Sequence, residues 1–190
     1  MNNEKDLLEA LRNDLFNSFP LLIERFEQPL LSYAYKLTGD MQGAQDIVQV
    51  VFLKFYQKFW DMQPIGHMSA LLYKMTGNLS KNYIRDKSRK KEISLNLESS
   101  STSGFSIPII SESAEGSTNE LELLIRKAID RLPSRQKTAL ILKIYEDKSY
   151  DEIAEILETS KNNVMVLIHR AHNALIADKT LKIYLDINKK

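Results

Sequence analysis

Amide and basic side chains are concentrated in residues 78–91 of this 190-residue chain. Asn78 and Asn82 are separated by one helical turn, so on a helix their carboxamides lie one above the other on one face. Lys81 and Arg85 lie beside them. Lys and Arg side chains hold nucleic-acid phosphates, whereas amide side chains read exposed base edges. This combination of residue types suits the binding of a nucleic-acid strand.

Charge is distributed unevenly around that segment, although the net charge of the chain is only +1. Residues 78–91 contain six Lys or Arg residues and a single acidic residue, Asp86. Residues 92–125 contain no Lys or Arg and carry six Glu residues. A basic block followed by an acidic block indicates separate electrostatic roles along the chain.

Residues 149–175 have the pattern of a helix-turn-helix. The side chains at the start of its second helix are placed where such helices touch base edges. We expect contact with DNA from these residues and from two polar residues further along: Lys161, Asn162, Asn163, His169 and Arg170.

The middle of the same helix, Met165 to Leu167, is apolar, which is unusual for a reading face. The spacing predicts a buried stripe formed by other residues: Val164, Ile168, Ala171 and Leu175. Apolar side chains can contact thymine methyl groups but do not neutralise phosphate. Two interpretations stay open: weak, salt-sensitive reading of T-rich DNA, or packing on a protein partner or on the first half of the chain.

Several classes of site are disfavoured by the residue types present. The chain has no Cys, so disulfides and thiolate metal sites are excluded. His169 and His172 have no carboxylate or Cys nearby in the sequence, so we expect no metal site. No catalytic triad or Gly-rich phosphate loop is recognisable, so we expect neither a cofactor nor enzymatic activity. The N-terminus does not resemble a signal peptide and no apolar run could span a bilayer, so we expect a cytoplasmic protein.

Helical spacing of apolar residues dominates residues 1–91. We expect a first helix that breaks at Pro20, a second that stops at 38–40, and a third over 44–59. Residues 60–67 contain Pro64 and Gly66 and are predicted to be a loop. A fourth helix is predicted from Met68 toward Lys87.

Helical periodicity disappears between residues 92 and 119, which include nine serines, and it returns afterwards. We therefore predict an all-α protein with two small helical domains, residues 1–91 and 119–190, joined by a flexible Ser-rich acidic linker at 92–118. In the second domain Pro133 suits a turn or a helix start, and residues 158–160 suit the turn of the helix-turn-helix.

Three segments in this order resemble bacterial RNA polymerase sigma factors of the extracytoplasmic-function group. Residues 37–56 resemble the family's polymerase-docking helix, and residues 71–86 resemble its promoter-melting helix. Residues 131–157 resemble the front of the domain that reads the upstream promoter element. A helix-turn-helix alone would be a weak signal, but the three segments together are specific.

The resemblance implies roles for residues of the first domain. Asp46, Gln49 and Lys54 would bind a coiled coil of the polymerase β′ subunit, although Val50 stands where the family usually has an acidic residue. Asn78 and Asn82 would contact the minus-ten promoter element. The phosphate-binding cations around them would be Lys81, Arg85, Lys87 and Arg89.

The loop at 60–67 would line the pocket for a base flipped out of the stack. Tyr56, Phe59, Trp60 and Tyr73 are candidates for base stacking, although such aromatic residues are more often core. Leu71 and Gly77 depart from the family's usual Trp and basic residue, and Gly inside a helix costs about 1 kcal/mol relative to Ala. The linker would either thread toward the polymerase active-site cleft or act as a plain tether.

The resemblance therefore predicts an alternative sigma factor that directs promoter-specific transcription initiation. Its partners would be core RNA polymerase, through the β′ and β subunits, promoter DNA and an anti-sigma factor. One alternative is a sigma-like regulator that works through protein contacts with weakened promoter recognition. The other is a helix-turn-helix regulator that acts without polymerase docking.

Overall fold

The structure is a computed structural model that describes residues 4–98 and 120–182, with side chains for 4–90 and 122–182. Within those residues the chain is all-α, as predicted, and contains no strand. The helices of the first domain are α1 (Glu4–Asn13), α2 (Leu15–Thr38), α3 (Met41–Lys58) and α4 (Met68–Glu98). Those of the second domain are α5 (Glu120–Asp130), α6 (Ser134–Ile144), α7 (Tyr150–Ile156) and α8 (Lys161–Ala177).

The predicted helix break at Pro20 is wrong. The break lies at Asp14, which caps α2 by accepting a hydrogen bond from the Asn17 backbone N–H, and α2 then continues through Pro20 and Pro29. A proline inside a helix costs about 3 kcal/mol. Burial of each large apolar side chain contributes about 1.5–3 kcal/mol, and α2 buries six residues along one side, so packing outweighs the prolines.

The turn between α2 and α3 lies at residues 38–40, where the sequence predicts it. Gly39 has φ 71°, the left-handed conformation that favours glycine, and its N–H donates to the Tyr35 carbonyl to close α2. Asp40 then caps α3 by accepting a hydrogen bond from the Gly43 N–H at 3.1 Å.

The fourth helix is longer than predicted. It extends to Glu98 and so includes residues 92–98, which we assigned to the linker. No Gly or Pro occurs between Gly77 and Gly104, and a helix that has formed propagates without an apolar stripe. The remainder of the predicted linker, residues 99–118, lies outside the described residues.

The second domain contains the predicted helix-turn-helix. Pro133 is the N-cap of α6, and Ser149 is the N-cap of α7, where it forms a capping box with Glu152. Ser160 is the N-cap of α8 and follows a turn in which Glu158 has φ 50°. These caps fix the entry of each short helix, and the packing of α6, α7 and α8 on one another fixes their angles.

Both domains contribute to one continuous apolar core. Leu30, Phe55 and Leu72 of the first domain and Leu142 and Ile153 of the second are fully buried members of it. The contacts between the domains run from α2 to α6 and from α4 to α7. The second domain is therefore seated directly on the first.

Candidate nucleic-acid interface

The four residues that the sequence singled out on the fourth helix share an exposed surface. Asn78, Lys81, Asn82 and Arg85 are all exposed on α4. The opposite side of the helix is held in the protein, where Thr76 and Ser80 are completely buried. The structure thus brings the two carboxamides and the two cations together, as the helical spacing predicts.

Lys87, also predicted to bind phosphate, is engaged within the protein. Its Nζ lies 2.7 Å from Asp40 Oδ2, and the Tyr83 hydroxyl donates to the same oxygen at 2.7 Å. These two donors, with the Gly43 N–H, hold the pKa of Asp40 well below its usual range. Asp40 in turn raises the pKa of Lys87. The Lys87 side chain is nevertheless 61% exposed, and Arg89 is exposed as well.

Two glycines allow aromatic rings to lie against the helices of this interface. A Cβ at Gly43 would lie 2.4 Å from Tyr83 Cζ, so only glycine lets that ring cross the start of α3. A Cβ at Gly77 would lie 3.0 Å from the Tyr33 hydroxyl. The absence of the family's usual basic residue at Gly77 therefore has a packing reason, and α4 runs through this position without interruption.

The aromatic candidates for base stacking divide into two groups. Phe59 and Tyr73 are buried and belong to the core. Trp60 is 60% exposed at the start of the loop, and Tyr56 is 37% exposed with its ring edge-on to Phe19. Trp60 and Tyr56 are therefore the aromatic rings of this set that a base could reach.

A cleft of about 500 Å³ lies beside the loop at residues 60–67. The first domain contributes Met62, Ile65, His67 and Lys74 to its lining. The other wall belongs to the second domain and carries Glu155 and Glu158. These carboxylates at the predicted base pocket could not be predicted from the sequence, because they lie more than eighty residues away from His67 and Lys74 in the chain.

The predicted docking residues lie on the exposed side of α3. Asp46, Gln49 and Lys54 are all exposed, and Asp46 accepts a hydrogen bond from Gln42 at 3.3 Å. Two apolar side chains lie on the same exposed side: Val50 is 36% exposed and Leu53 is 55% exposed. Leu53 was not among the predicted docking residues, although its position outside the predicted buried stripe of α3 indicates that it is exposed.

The polar residues at the start of α8 are exposed, as expected: Lys161, Asn162 and Asn163. Lys161 Nζ lies 2.8 Å from Asp151 Oδ2 of α7. The Asn163 side-chain amide donates to Thr159 Oγ1 at 2.7 Å. His169 and Arg170 are exposed one to two turns later.

The apolar segment in the middle of α8 does not form one face. Leu167 is only 9% exposed and joins Val164, Ile168 and Ala171 in the buried stripe, so its inclusion among outward residues is wrong. Met165 and Val166 are each 43% exposed. Met165 and Val166 therefore stay accessible to DNA or to another protein.

The described parts of the chain contain neither a metal-binding cluster nor a membrane-spanning helix. No group of three or more His, Asp or Glu side chains is arranged to hold a metal ion there. None of the helices in those parts is both long and apolar enough to cross a membrane.

Comparison with known proteins identifies two regions of one family. The model of sigma-70 region 2 matches residues 22–90, and that of sigma-70 region 4 matches residues 122–175. RNA polymerase sigma-H factor of Pseudomonas aeruginosa is 26% identical, covering 94% of this chain and 94% of that protein. The extracytoplasmic-function (ECF) RNA polymerase sigma factor SigW of Bacillus subtilis is 28% identical, covering 84% of this chain and 87% of that protein.

The fold is also similar to that of a protein chain of known structure. The structure of CnrH in complex with the cytosolic domain of CnrY superposes with a TM-score of 0.67. It covers 92% of this chain and 95% of that chain at 17% identity, a similarity that establishes the fold alone.

Proposed function

The chain belongs to the sigma-70 family, in its extracytoplasmic-function group, and we propose that it binds core RNA polymerase and directs initiation at its own set of promoters. The observation that carries this proposal is the presence of both regions in the family's order, with Asn78, Lys81, Asn82 and Arg85 exposed on one side of α4. Polymerase supplies the chemistry, and this chain selects the start site. Because polymerase works in the cytoplasm, we place the chain there too.

Docking on polymerase is assigned to the exposed side of α3. Asp46 and Gln49 provide polar contacts to the β′ coiled coil, and Lys54 lies at the far end of the same surface. Val50 and Leu53 add an apolar centre where the family usually has an acidic residue at position 50. Loss of one rim charge lowers the association rate more than it abolishes binding, so this surface still suits a polymerase contact.

Recognition of the minus-ten element is assigned to α4. Asn78 and Asn82 read bases of the unwound strand, and Lys81, Arg85 and Arg89 hold its phosphates. Lys87 contributes mainly through its ion pair with Asp40, which fastens α4 to the start of α3. Trp60 is exposed at the start of the loop that lines the cleft proposed for a flipped base.

Recognition of the minus-thirty-five element is assigned to α8. Lys161, Asn162 and Asn163 meet base edges, and His169 and Arg170 approach the backbone. Met165 and Val166 offer methyl contacts instead of phosphate contacts, so upstream binding is weak and depends on salt only through cations such as Lys161 and Arg170. This exposed apolar pair also favours a second role, contact with an anti-sigma factor, since CnrH of the same fold binds a protein partner.

The decisive experiment compares open-complex formation with closed-complex binding for Asn82→Ala. Loss of a bidentate amide–base contact is worth about 1–3 kcal/mol, which corresponds to roughly a 5- to 150-fold loss of open complex. Closed-complex binding should change much less, because phosphate contacts remain. Asn13→Ala removes an exposed carboxamide from α1 and serves as the matched control, with no expected effect.

Two outcomes would assign this chain to another class of regulatory protein. If the chain binds core polymerase but supports no start site, it is a regulator that acts through protein contacts, which Val50, Met165 and Val166 would explain. If it binds duplex DNA specifically without polymerase and never directs initiation, it is a helix-turn-helix regulator.

A further inference from the structure

A cleft of about 300 Å³ lies between α4 and α6. One wall is a single side of α4, formed by Gly77, Ser80, Lys81, Ile84 and Arg85. Spacings of three and four residues place these positions along one face of the helix. The facing wall is the start of α6, with Ser134 and Thr138. Pockets for one small molecule measure about 300–1,000 Å³, so the cleft has the size of such a pocket.

Ser80 brings an unpaired hydroxyl to this cleft. The residue is 0% exposed, and its Oγ has no hydrogen-bond partner among the described residues. A hydroxyl inside a helix can donate to the carbonyl four residues earlier, as Thr76 does to Leu72 at 2.9 Å. Buried polar groups are rarely left without a partner. Because Ser80 lies on the side of α4 that lines the cleft, a ligand there can accept this hydrogen bond.

The α4 wall of the cleft is positively charged. Lys81 is exposed and makes no ion pair within the described parts of the chain. Arg85 Nε lies 3.3 Å from the exposed Asp86 carboxylate, which leaves the other guanidinium N–H groups available. Among the described residues that line the cleft, Asp130 has the sole carboxylate, and Lys137 Nζ lies 2.7 Å from it. Two cations therefore remain to bind an anion.

The start of α6 adds backbone donors on the opposite wall. Its N-cap, Pro133, makes no side-chain hydrogen bond, so the first N–H groups of this 11-residue helix have no side-chain cap. The partial positive charge at the start of a helix favours an anion, and phosphate groups bind at such positions. Ser134 is the first residue of α6 and lines the cleft, which places these donors at the cleft.

The remainder of the lining is largely apolar. Leu37 and Leu132 are buried at the cleft, and Ile84 is 40% exposed. Small-molecule pockets typically combine apolar walls with a few convergent polar groups. Inorganic phosphate would use only the polar groups, so an anion that carries an apolar group suits the cleft better.

We propose that the cleft between α4 and α6 binds a small phosphomonoester that carries an apolar group. Its phosphate has three acceptor oxygens, which match the hydroxyl of Ser80, the cations Lys81 and Arg85, and the N–H groups of α6. Its apolar group packs on Leu37 and Leu132. The consequence for initiation rests on the proposed function: Lys81 and Arg85 are assigned to the promoter strand, so the ligand and the strand exclude each other.

Isothermal titration calorimetry of the full chain with 1-naphthyl phosphate tests the site without polymerase. 1-Naphthol lacks the phosphate and inorganic phosphate lacks the apolar group, so each should bind at least about tenfold more weakly. If 1-naphthyl phosphate binds no more tightly than 1-naphthol, the phosphate site is refuted. If it binds no more tightly than inorganic phosphate, the cleft holds an adventitious ion only, and the proposal is wrong.

Ser80→Ala removes the unpaired hydroxyl. The variant should bind 1-naphthyl phosphate about tenfold more weakly, since one hydrogen bond to a charged group is lost. Its urea unfolding should show no loss of stability, because the hydroxyl has no partner in the free chain. Ser88→Ala is the matched control on the same helix, where the hydroxyl donates to the Ile84 carbonyl outside the cleft, and it should keep the affinity. Unchanged affinity in Ser80→Ala would overturn the site.

Lys81→Ala tests the charge of the α4 wall. It should weaken binding of 1-naphthyl phosphate by about fivefold or more, because a charge-assisted contact is lost. Lys90→Ala removes an exposed cation further along α4 and should change the affinity far less. Equal losses in the two variants would show only general attraction of the anion to a basic helix, which contradicts a defined site.

Competition with promoter DNA is measured by adding 1-naphthyl phosphate to the chain at ten times its Kd before core polymerase. Open-complex formation at limiting chain concentration should fall about tenfold, because the fraction of chain without ligand falls by that factor. Ser80→Ala should lose much less at the same ligand concentration. Unchanged open-complex formation with a ligand that binds would refute the competition. If the chain forms no open complex even without the ligand, the proposed function fails, and calorimetry still decides the site.

Discussion

Replacement of Gly43 by Ala tests how α3 is fixed to α4. The added Cβ would lie 2.4, 2.6 and 2.8 Å from the Cζ, hydroxyl and Cε1 atoms of Tyr83. Atoms do not approach so closely, so the Tyr83 ring must move away from α3. That movement breaks the 2.7 Å hydrogen bond from the Tyr83 hydroxyl to Asp40.

Two opposing contributions determine the change in the free energy of unfolding. Ala is about 1 kcal/mol better than Gly inside a helix, which stabilises the variant. Overpacking costs about 1–3 kcal/mol, and a hydrogen bond to a charged acceptor contributes about 1.5–3 kcal/mol. The losses exceed the gain, so we expect Gly43→Ala to destabilise the chain by about 2 kcal/mol or more.

Urea unfolding in two backgrounds checks the sign as well as the size. In a Tyr83→Ala background the obstruction is absent, so Gly43→Ala should there stabilise by about 1 kcal/mol. Gly66→Ala is the control, since a Cβ at that position meets nothing within 4 Å. The reasoning is refuted if Gly43→Ala has the same effect with and without the Tyr83 ring.

Three further predictions concern individual side chains. The pKa of Asp40 is lower in the folded chain than in the unfolded chain. The stability that the Asp40 carboxylate contributes is therefore present at neutral pH and is lost as the pH falls below about 4. In urea titrations the stability advantage over Asp40→Asn should shrink between pH 7 and pH 3, and a constant difference would contradict this. The buried hydroxyl of Tyr33 has no hydrogen-bond partner among the described residues. Tyr33→Phe should therefore raise the free energy of unfolding by about 1 kcal/mol. A lower free energy of unfolding would show that the hydroxyl does form a hydrogen bond. Met165→Arg and Val166→Arg replace exposed side chains of α8. Each variant should bind upstream DNA more tightly, and its affinity should depend more steeply on salt, by about one phosphate contact. An unchanged slope of affinity against salt concentration would mean that this side of α8 faces away from DNA.

The sequence predicted the features that depend on local periodicity and capping. The stripes of α3 and α8, the turn at 38–40 and the order of the helices all follow from spacing within one helix or from residues that end helices. The side of α4 that presents Asn78 and Asn82 follows in the same way.

The features that depend on contacts between distant parts of the chain could not be predicted from the sequence. Helix α2 tolerates Pro20 because its buried side packs on other helices, which the local sequence does not reveal. The hydrogen bond from Tyr73 to Glu146 joins residues 73 positions apart, and no pattern in either segment indicates the other. Leu167 was misplaced for a smaller reason, because three consecutive apolar residues on a helix cannot all point the same way.

The central claim, that Asn78 and Asn82 capture an unwound strand when polymerase delivers it, is tested by mapping permanganate-reactive thymines on promoter DNA. With core polymerase and the natural chain, we predict reactive thymines confined to the minus-ten region. The Asn78→Ala, Asn82→Ala double variant should still bind polymerase and promoter but leave those thymines unreactive. Strand opening by the double variant at the natural level, or no opening by the natural chain at any promoter, would contradict the account.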